Sequence, residues 1–262
     1  MAKTSFSTIF IAAAVSAVVA FGTSYFVMKS GKAAVSQPTG DEASAYVKQA
    51  LMNDPGMLDD VFLALQNARE EGQAKTALSA IESVKPALYA DKRDQALGPE
   101  TAKYTVVEFF DYNCGFCKTA ALWTRQQLEE HPDDFRIIFK DLPLLEGRAP
   151  GSQEASIAAM AVWKQGADLF RKFHFSMMEA KGGFDSERID QIAGDAGVDV
   201  AKMRADMLAN KAEFEKHLSD NFALATALSI DGTPAFIADG IFVSGANIPL
   251  LQQLLDEKLA ES

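Results

Sequence analysis

The chain holds two cysteines, three positions apart in the run Cys114-Gly115-Phe116-Cys117. A disulfide framework would spread more cysteines along the sequence. Here the whole thiol inventory lies in one motif, and the chemistry of such a pair is thiol–disulfide exchange. The attacking species in exchange is a thiolate, whereas a thiol near neutral pH is mostly protonated. The site must therefore favour the anion. A strand running into a helix does so when the first cysteine lies at the helix's first turn. Its sulfur then sits beside unpaired backbone N–H groups and the positive end of the helix dipole. The pattern fits that arrangement. Ala102 to Phe110 is rich in β-branched and aromatic residues and reads as a buried strand, and Thr119 to Glu130 reads as a helix stopped near His131-Pro132. Cys114 is thus expected to be the nucleophile. Cys117, one turn further in, is expected to be the more buried thiol that resolves a mixed disulfide.

Glu108 interrupts the apolar strand just before this motif. A carboxylate there is costly without a partner or a task, and relaying the proton of Cys117 would be such a task. The competing reading places Glu108 on an edge strand, facing solvent. Thr233-Pro234 follows Asp231-Gly232 and precedes a strand; taken alone, this proline is a turn residue. No metal site is expected. His131, His174 and His217 are scattered, and there is no second cysteine pair to complete a zinc site. Two thiolates can nonetheless hold Cu(I), a soft ion, so a copper-binding or chaperone-like module remains an alternative to an enzyme.

Around the motif, the sequence orders itself as strand, helix, strand, helical block, hairpin, helix. Phe135 to Phe139 reads as the second strand, and residues from about 152 to 228 form a long helical region. Within it, Met160, Met177, Met178, Met203 and Met207 fall on apolar helical faces and are expected to be core residues. Ala235 to Ala238 and Ile241 to Val243 flank Asp239-Gly240, a hairpin signal, and Asn247 with Pro249 opens a last helix. Upstream, Asp54-Pro55 is a helix start, with Leu58, Val61, Phe62 and Leu65 on one face. Ala77, Ile81, Val84 and Leu88 make a second stripe, which Pro86 is expected to end early.

Composition excludes several classes. The 262 residues are 48% apolar and 23% charged, a globular balance. A net charge of −11 argues against nucleic acid, which needs a basic stripe. Thr4 to Met28 carries no charge and is long enough to cross a bilayer as a helix. The apolar run continues past the cleavage-like Val18-Val19-Ala20, which favours an uncleaved signal anchor over a cleaved signal peptide. Exchange chemistry then puts the rest of the chain on the oxidising, periplasmic side of the inner membrane, or free in the periplasm if the segment is cut.

The run from Val106 through Lys118, with Phe139-Lys140-Asp141-Leu142-Pro143-Leu144 and Gly232-Thr233-Pro234-Ala235-Phe236, resembles the DsbA-like thioredoxin proteins of bacteria. Tyr46-Val47, Asn53-Asp54-Pro55 and Leu88-Tyr89 resemble the amino-terminal region of the ScsC-like branch. The resemblance implies an α/β, thioredoxin-like fold with a helical insertion, preceded by an N-terminal helical segment and a membrane anchor. The expected divisions are residues 1–30 as signal anchor, 31–42 as linker, 43–97 as a helical segment able to oligomerise, and 98–262 as the thioredoxin domain. It implies that Cys114 and Cys117 are the redox centre, that Glu108 is the buried acid before it, and that Pro234 is a cis-proline with Thr233 at the substrate. Gly115-Phe116 lacks the histidine of strong oxidases, which implies a less oxidising couple. The expected activity is disulfide isomerisation in exported, cysteine-containing proteins, with a DsbA-like dithiol oxidase as the alternative. No cofactor is expected. The expected partner is a membrane reductase or a quinone-linked oxidase, and a homo-oligomer is compatible with the helical segment.

Overall fold

The computed structural model describes residues 40–54 and 56–261. The anchor expected at 1–30, residues 31–39 of the linker expected at 31–42 and Pro55 of the helix-start signal lie outside them; residues 40–42 of that linker are already helical. Among the described residues no helix is long and apolar enough to cross a membrane. The described chain divides into two compact units, one ending at Asn67 and one beginning at Ala68.

The first unit is helical. Helix α1 spans Gly40–Asn53 and α2 spans Gly56–Ser83, the latter running on into the second unit. Asp54 turns the chain between them by accepting the Gly56 N–H at 3.1 Å. The stripe of Leu58, Val61, Phe62 and Leu65 forms on α2 but stays 44–60% exposed.

The second unit is built on a five-stranded sheet in the order β1-β3-β2-β4-β5. Its strands are β1 (Gln95–Leu97), β2 (Tyr104–Phe110), β3 (Phe135–Asp141), β4 (Ala235–Ala238) and β5 (Ile241–Ser244). β2 is central, parallel to β3 and antiparallel to β4; β1 and β5 are the edges. Side chains alternate along β2, so Val106, Glu108 and Phe110 face one side while Val107 and Phe109 face the other. The first face packs with α4 (Gly115–Glu130), the final helix α10 (Ile248–Ala260) and the helical insertion, all within one apolar cluster. On the second face Val107, Phe109, Ile138 and Ile237 pack with Ile81 of α2, Leu88 of α3 (Lys85–Tyr89) and Leu224. Fully burying side chains of this size stabilises by ~1.5–3 kcal/mol each.

These contacts move the expected boundary at 97/98. β1 pairs with β3, and Ile81 and Leu88 are 5% and 0% exposed in the core of the sheet unit, so that unit needs the chain upstream of residue 98. β1 escaped the sequence reading because three residues are too few to show a period. The stripe over Ile81 and Leu88 does break, at Val84, with Pro86 in the first turn of α3. The insertion between β3 and β4 resolves into α5 (Ser152–Trp163), α6 (Ala167–Glu179), α7 (Ser186–Asp195), α8 (Val200–Ala209) and α9 (Lys211–Ala227). Met160, Met177, Met178 and Met203 are buried there, and Met207 is a partly buried residue packed against the same core cluster. Gly151, before α5, has φ +98°, and a Cβ there would lie 1.8 Å from the Phe184 carbonyl oxygen, so only glycine fits.

Asp141 ends β3 in full burial. Burial raises its carboxyl to about 8, with Asp94 and Asp111 pushing the same way. The folded chain therefore keeps a proton that the unfolded chain releases above about pH 4, and stability falls as pH rises from there to about 8. Asp141→Asn removes this loss. Relative to the parent, the variant should gain on the order of 5 kcal/mol in denaturant unfolding between pH 4 and pH 8, ~1.4 kcal/mol for each pH unit; parallel stability curves would reject a protonated Asp141.

Candidate active site

The site is assembled where β2 ends. Cys114 is the N-cap of α4, with extended φ and ψ of −77° and 117°, and Cys117 follows inside the first turn. Cys114 is 6% exposed and Cys117 is fully buried. The Cys114 thiol lies 3.1 Å from the backbone carbonyl of Thr233, and the Thr233–Pro234 peptide is cis. Two segments 119 residues apart thus meet at one sulfur. Gly115 and Phe116 are exposed beside it, Phe116 by 71%.

The two sulfurs are shifted in opposite directions. The Cys114 thiol is lowered to about 6, chiefly by a hydrogen bond from Cys117, with Thr233 and the backbone amides of Cys117 and Phe116 adding to it against the cost of burial. The Cys117 thiol is pushed well up, chiefly by burial, then by that same hydrogen bond and by the charges of Glu108 and Cys114. Near neutral pH the arrangement is a thiolate at Cys114 held by a protonated Cys117, which is a nucleophile with a masked thiol behind it.

Glu108 is 1% exposed on the central strand, which removes the edge-strand reading. Period-two alternation turns it to the face that carries the cysteines. Burial raises its carboxyl to about 8, the Cys114 charge adds to this, and its Oε1 has no hydrogen-bond partner. Lys118 is half-buried, donates to the Ala180 carbonyl at 2.5 Å and lies over the Phe184 ring at 5.2 Å.

Sequence reasoning missed Asp111, Asn113 and Ser152 as members of the site's frame. The Asp111 carboxylate is fully buried and accepts from Asn113 N–H (2.8 Å), Ser152 Oγ (2.7 Å) and Leu145 N–H (2.8 Å). The local part was legible, because an aspartate at a strand end often accepts the N–H two residues on. The partners at Leu145 and Ser152 were not.

His174 and His217 are both buried, for different reasons. His174 packs among Phe110, Phe139, Phe170 and Phe175, shares a 3.0 Å hydrogen bond with the Tyr112 hydroxyl, and is lowered to about 3 by burial, so it is neutral. His217 comes together with Asp91 and Asp94, ligand atoms lying within 4.8 Å of one another. Its two ring nitrogens face different carboxylates, Nε2 towards Asp94 (3.1 Å) and Nδ1 towards Asp91 (3.9 Å). Arg93 already pairs with Asp91 and Lys140 with Asp94, so an incoming cation would compete with both. The group ties α9 to the segment before β1 as a charge network. Among the described residues, the two thiols remain the set suited to a soft ion.

Alkylation of Cys114 should follow a thiolate titrating at about 6 and level off above it. Cys117→Ala removes the chief donor and should move the midpoint upward towards the ordinary thiol range. An unmoved midpoint would mean that the helix amides and Thr233 suffice.

A family model described as the DSBA-like thioredoxin domain matches residues 105–256. Disulfide bond formation protein D of Bacillus subtilis (strain 168) is 24% identical over 176 residues, which is 64% of this chain and 78% of that one. Among solved structures, the catalytic domain of Proteus mirabilis ScsC is 30% identical with a TM-score of 0.61, covering 70% of this chain and 98% of that one. A linker-deleted mutant of Proteus mirabilis ScsC is 27% identical with a TM-score of 0.61, covering 88% and 100%. The chain also matches Na(+)/H(+) antiporter NhaA 1 of Salinispora arenicola, of whose length it spans 22%. The family model covers more than half of the chain, and the chain belongs to the DSBA-like thioredoxin domain family, as a thiol–disulfide oxidoreductase of the DsbA and ScsC type.

Proposed function

We propose that this chain rearranges wrong disulfides in exported proteins at the periplasmic face of the inner membrane, held there by residues 1–30. The observation that carries the proposal is the divided pair of sulfurs. Cys114 is lowered to about 6, while Cys117 is buried and raised. A nucleophile at that value lies between the ~3.5 of a strong oxidant and the ~7 of a reductant. Such a thiol is ionised at neutral pH, attacks readily and leaves readily, as shuffling requires. Gly115-Phe116, with no histidine, and Thr233 before the proline support the same reading.

In the first step the Cys114 thiolate attacks one sulfur of a substrate disulfide. A mixed disulfide forms, and the substrate's other sulfur leaves as a thiolate. An extended substrate segment pairs with the backbone at Thr233, which holds the bond in line. The freed substrate thiolate then attacks another disulfide of the same protein, and a final attack on the mixed bond returns Cys114 as a thiolate, with no net transfer of electrons. If the substrate stalls, Cys117 attacks Cys114, the substrate leaves reduced, and the Cys114–Cys117 disulfide must be reset by a membrane reductase. Glu108 serves that escape. Forming the mixed disulfide removes the Cys114 charge that helps raise the Glu108 carboxyl. Glu108 then releases its own proton to solvent through water and, as a carboxylate, accepts the proton of Cys117 as that thiol attacks.

Reactivation of a scrambled, fully oxidised substrate in glutathione buffer tests the reading, using the chain without residues 1–30. Strong reactivation that Cys114→Ser abolishes is expected. Rapid oxidation of a reduced substrate without reactivation would identify a dithiol oxidase. Inactivity in both assays, with tight one-to-one retention of Cu(I), would identify a metal-binding module. Cys117→Ser should trap partners covalently and Cys114→Ser should trap none; the reverse would exchange the two roles. Glu108→Gln should slow release of trapped substrate by roughly 10²-fold and leave the first attack nearly unchanged.

The exposed stripe of Leu58, Val61, Phe62 and Leu65, with Tyr46, Val47 and Met52 on α1, supports self-association of the first unit. Light scattering should show an oligomer for residues 31–262 and a monomer for residues 68–262. A monomeric longer chain would sink that part of the proposal.

A further inference from the structure

We propose that Asp111 is a positioning residue for Cys114, and that through it the helical insertion sets the reactivity of the thiol. This rests on the exchange chemistry proposed above but not on whether the outcome is isomerisation or oxidation. Asp111 stands three residues before Cys114, where β2 gives way to the loop. One carboxylate oxygen holds that loop by accepting Asn113 N–H at 2.8 Å, while the Asp111 backbone carbonyl accepts Cys114 N–H at 3.0 Å. The same oxygen accepts from Ser152 Oγ at 2.7 Å, at the start of α5 of the insertion. The other oxygen accepts Leu145 N–H at 2.8 Å, in the loop that leaves β3. Asn113 closes the circuit, its Nδ2 donating to Ser152 Oγ (2.9 Å) and to the Ala149 carbonyl (3.0 Å). Three separate stretches of backbone thus converge on one fully buried carboxylate.

The physical argument is one of donors and distance. A buried carboxylate is tolerated because it receives several hydrogen bonds, and bonds to an ionised acceptor are short and strong. Those bonds hold residues 113 and 114 against two neighbouring segments at once. Cys114 draws its stabilisation chiefly from the Cys117 thiol, with the Thr233 side chain and the amides of Cys117 and Phe116 adding to it, all over hydrogen-bond range of the sulfur. A loop free to drift by a fraction of an ångström loses part of each. The Asp111 carboxylate bonds Asn113, Ser152 and Leu145, and the Asp111 backbone amide bonds the Cys117 sulfur, so the carboxylate acts on Cys114 through the placement of this loop and of Cys117 behind it. Ser152 and Leu145 lie on either side of the insertion's entry, so any shift of that entry is felt at the thiol.

The measurement is the pH dependence of Cys114 alkylation in the full chain, in a Cys117→Ser background, with thermal unfolding recorded alongside. Asp111→Ala should move the midpoint upward by about one pH unit, which is roughly tenfold less thiolate below the midpoint. Ser152→Ala keeps the carboxylate, the Asn113 N–H bond and the Leu145 bond, and should move it upward by less. Asp111→Asn keeps an acceptor for Asn113 and Ser152 and loses the one for Leu145, so it should fall between the parent and Asp111→Ala. A cooperative melt with an unmoved midpoint would overturn the proposal, because a purely structural residue would alter stability and leave the titration alone. A downward shift would also overturn it, since the carboxylate would then act by charge repulsion. If Asp111→Ala does not fold, Ser152→Ala decides by the same criterion. Alkylation needs no substrate protein, so a failure here is distinct from a failure of the isomerase assay.

Discussion

The negative sulfur at Cys114 is the constraint around which the second unit is arranged. A thiolate needs donors and resists burial, yet this one is only 6% exposed. The fold meets both demands by placing the residue at the N-cap of α4, where backbone N–H groups lack partners of their own, and by setting the Cys117 thiol behind it as a further donor. The same placement masks Cys117. Its burial and its neighbours' charges keep its proton on until the charge at Cys114 is gone.

That arrangement depends on a rigid backing. β2 is the central strand, buried on both faces, and it delivers the chain to Cys114 from a fixed direction. Its alternation turns Glu108 to the cysteine face and Phe109 to the other, so one residue of register separates a buried acid beneath the motif from one facing the opposite core. The insertion does more than extend the core. Its first helix donates Ser152 to Asp111, and His174 of α6 packs among the aromatic rings beside Tyr112. The thiol is therefore held by elements from both the thioredoxin sheet and the insertion.

The two units differ in how they satisfy their apolar surface. The sheet unit buries most of its large side chains against the two faces of the sheet, with Phe116 and Leu208 among the exceptions. The stripe of Leu58, Val61, Phe62 and Leu65 on α2 is left exposed, although its helical period is as clear in sequence as that of Ile81 and Leu88, which are buried. A helical period shows that a face exists and says nothing of what covers it. The charge network of Asp91, Arg93, Asp94, Lys140 and His217 makes the complementary point. Three of its members lie within residues 91–94, and the distant Lys140 and His217 reach them only because β3 and α9 lie against the segment before β1.

By itself the sequence determined the paired thiols, the strand and helix that hold them, the hairpin after Pro234 and the helical character of the insertion. Each of these is a local pattern: a spacing of three between two cysteines, a run of β-branched residues, a turn dipeptide, a 3.6-residue period. Tertiary structure alone decided four things. It put Thr233 at 3.1 Å from Cys114, set Glu108 on a central strand, and brought Leu145 and Ser152 to Asp111. It also placed β1, too short to carry a period, in the sheet and so drew the chain upstream of residue 98 into that unit. These are contacts between residues far apart in the chain, fixed by which faces pack together. A side chain's own neighbours in sequence carry no record of that choice.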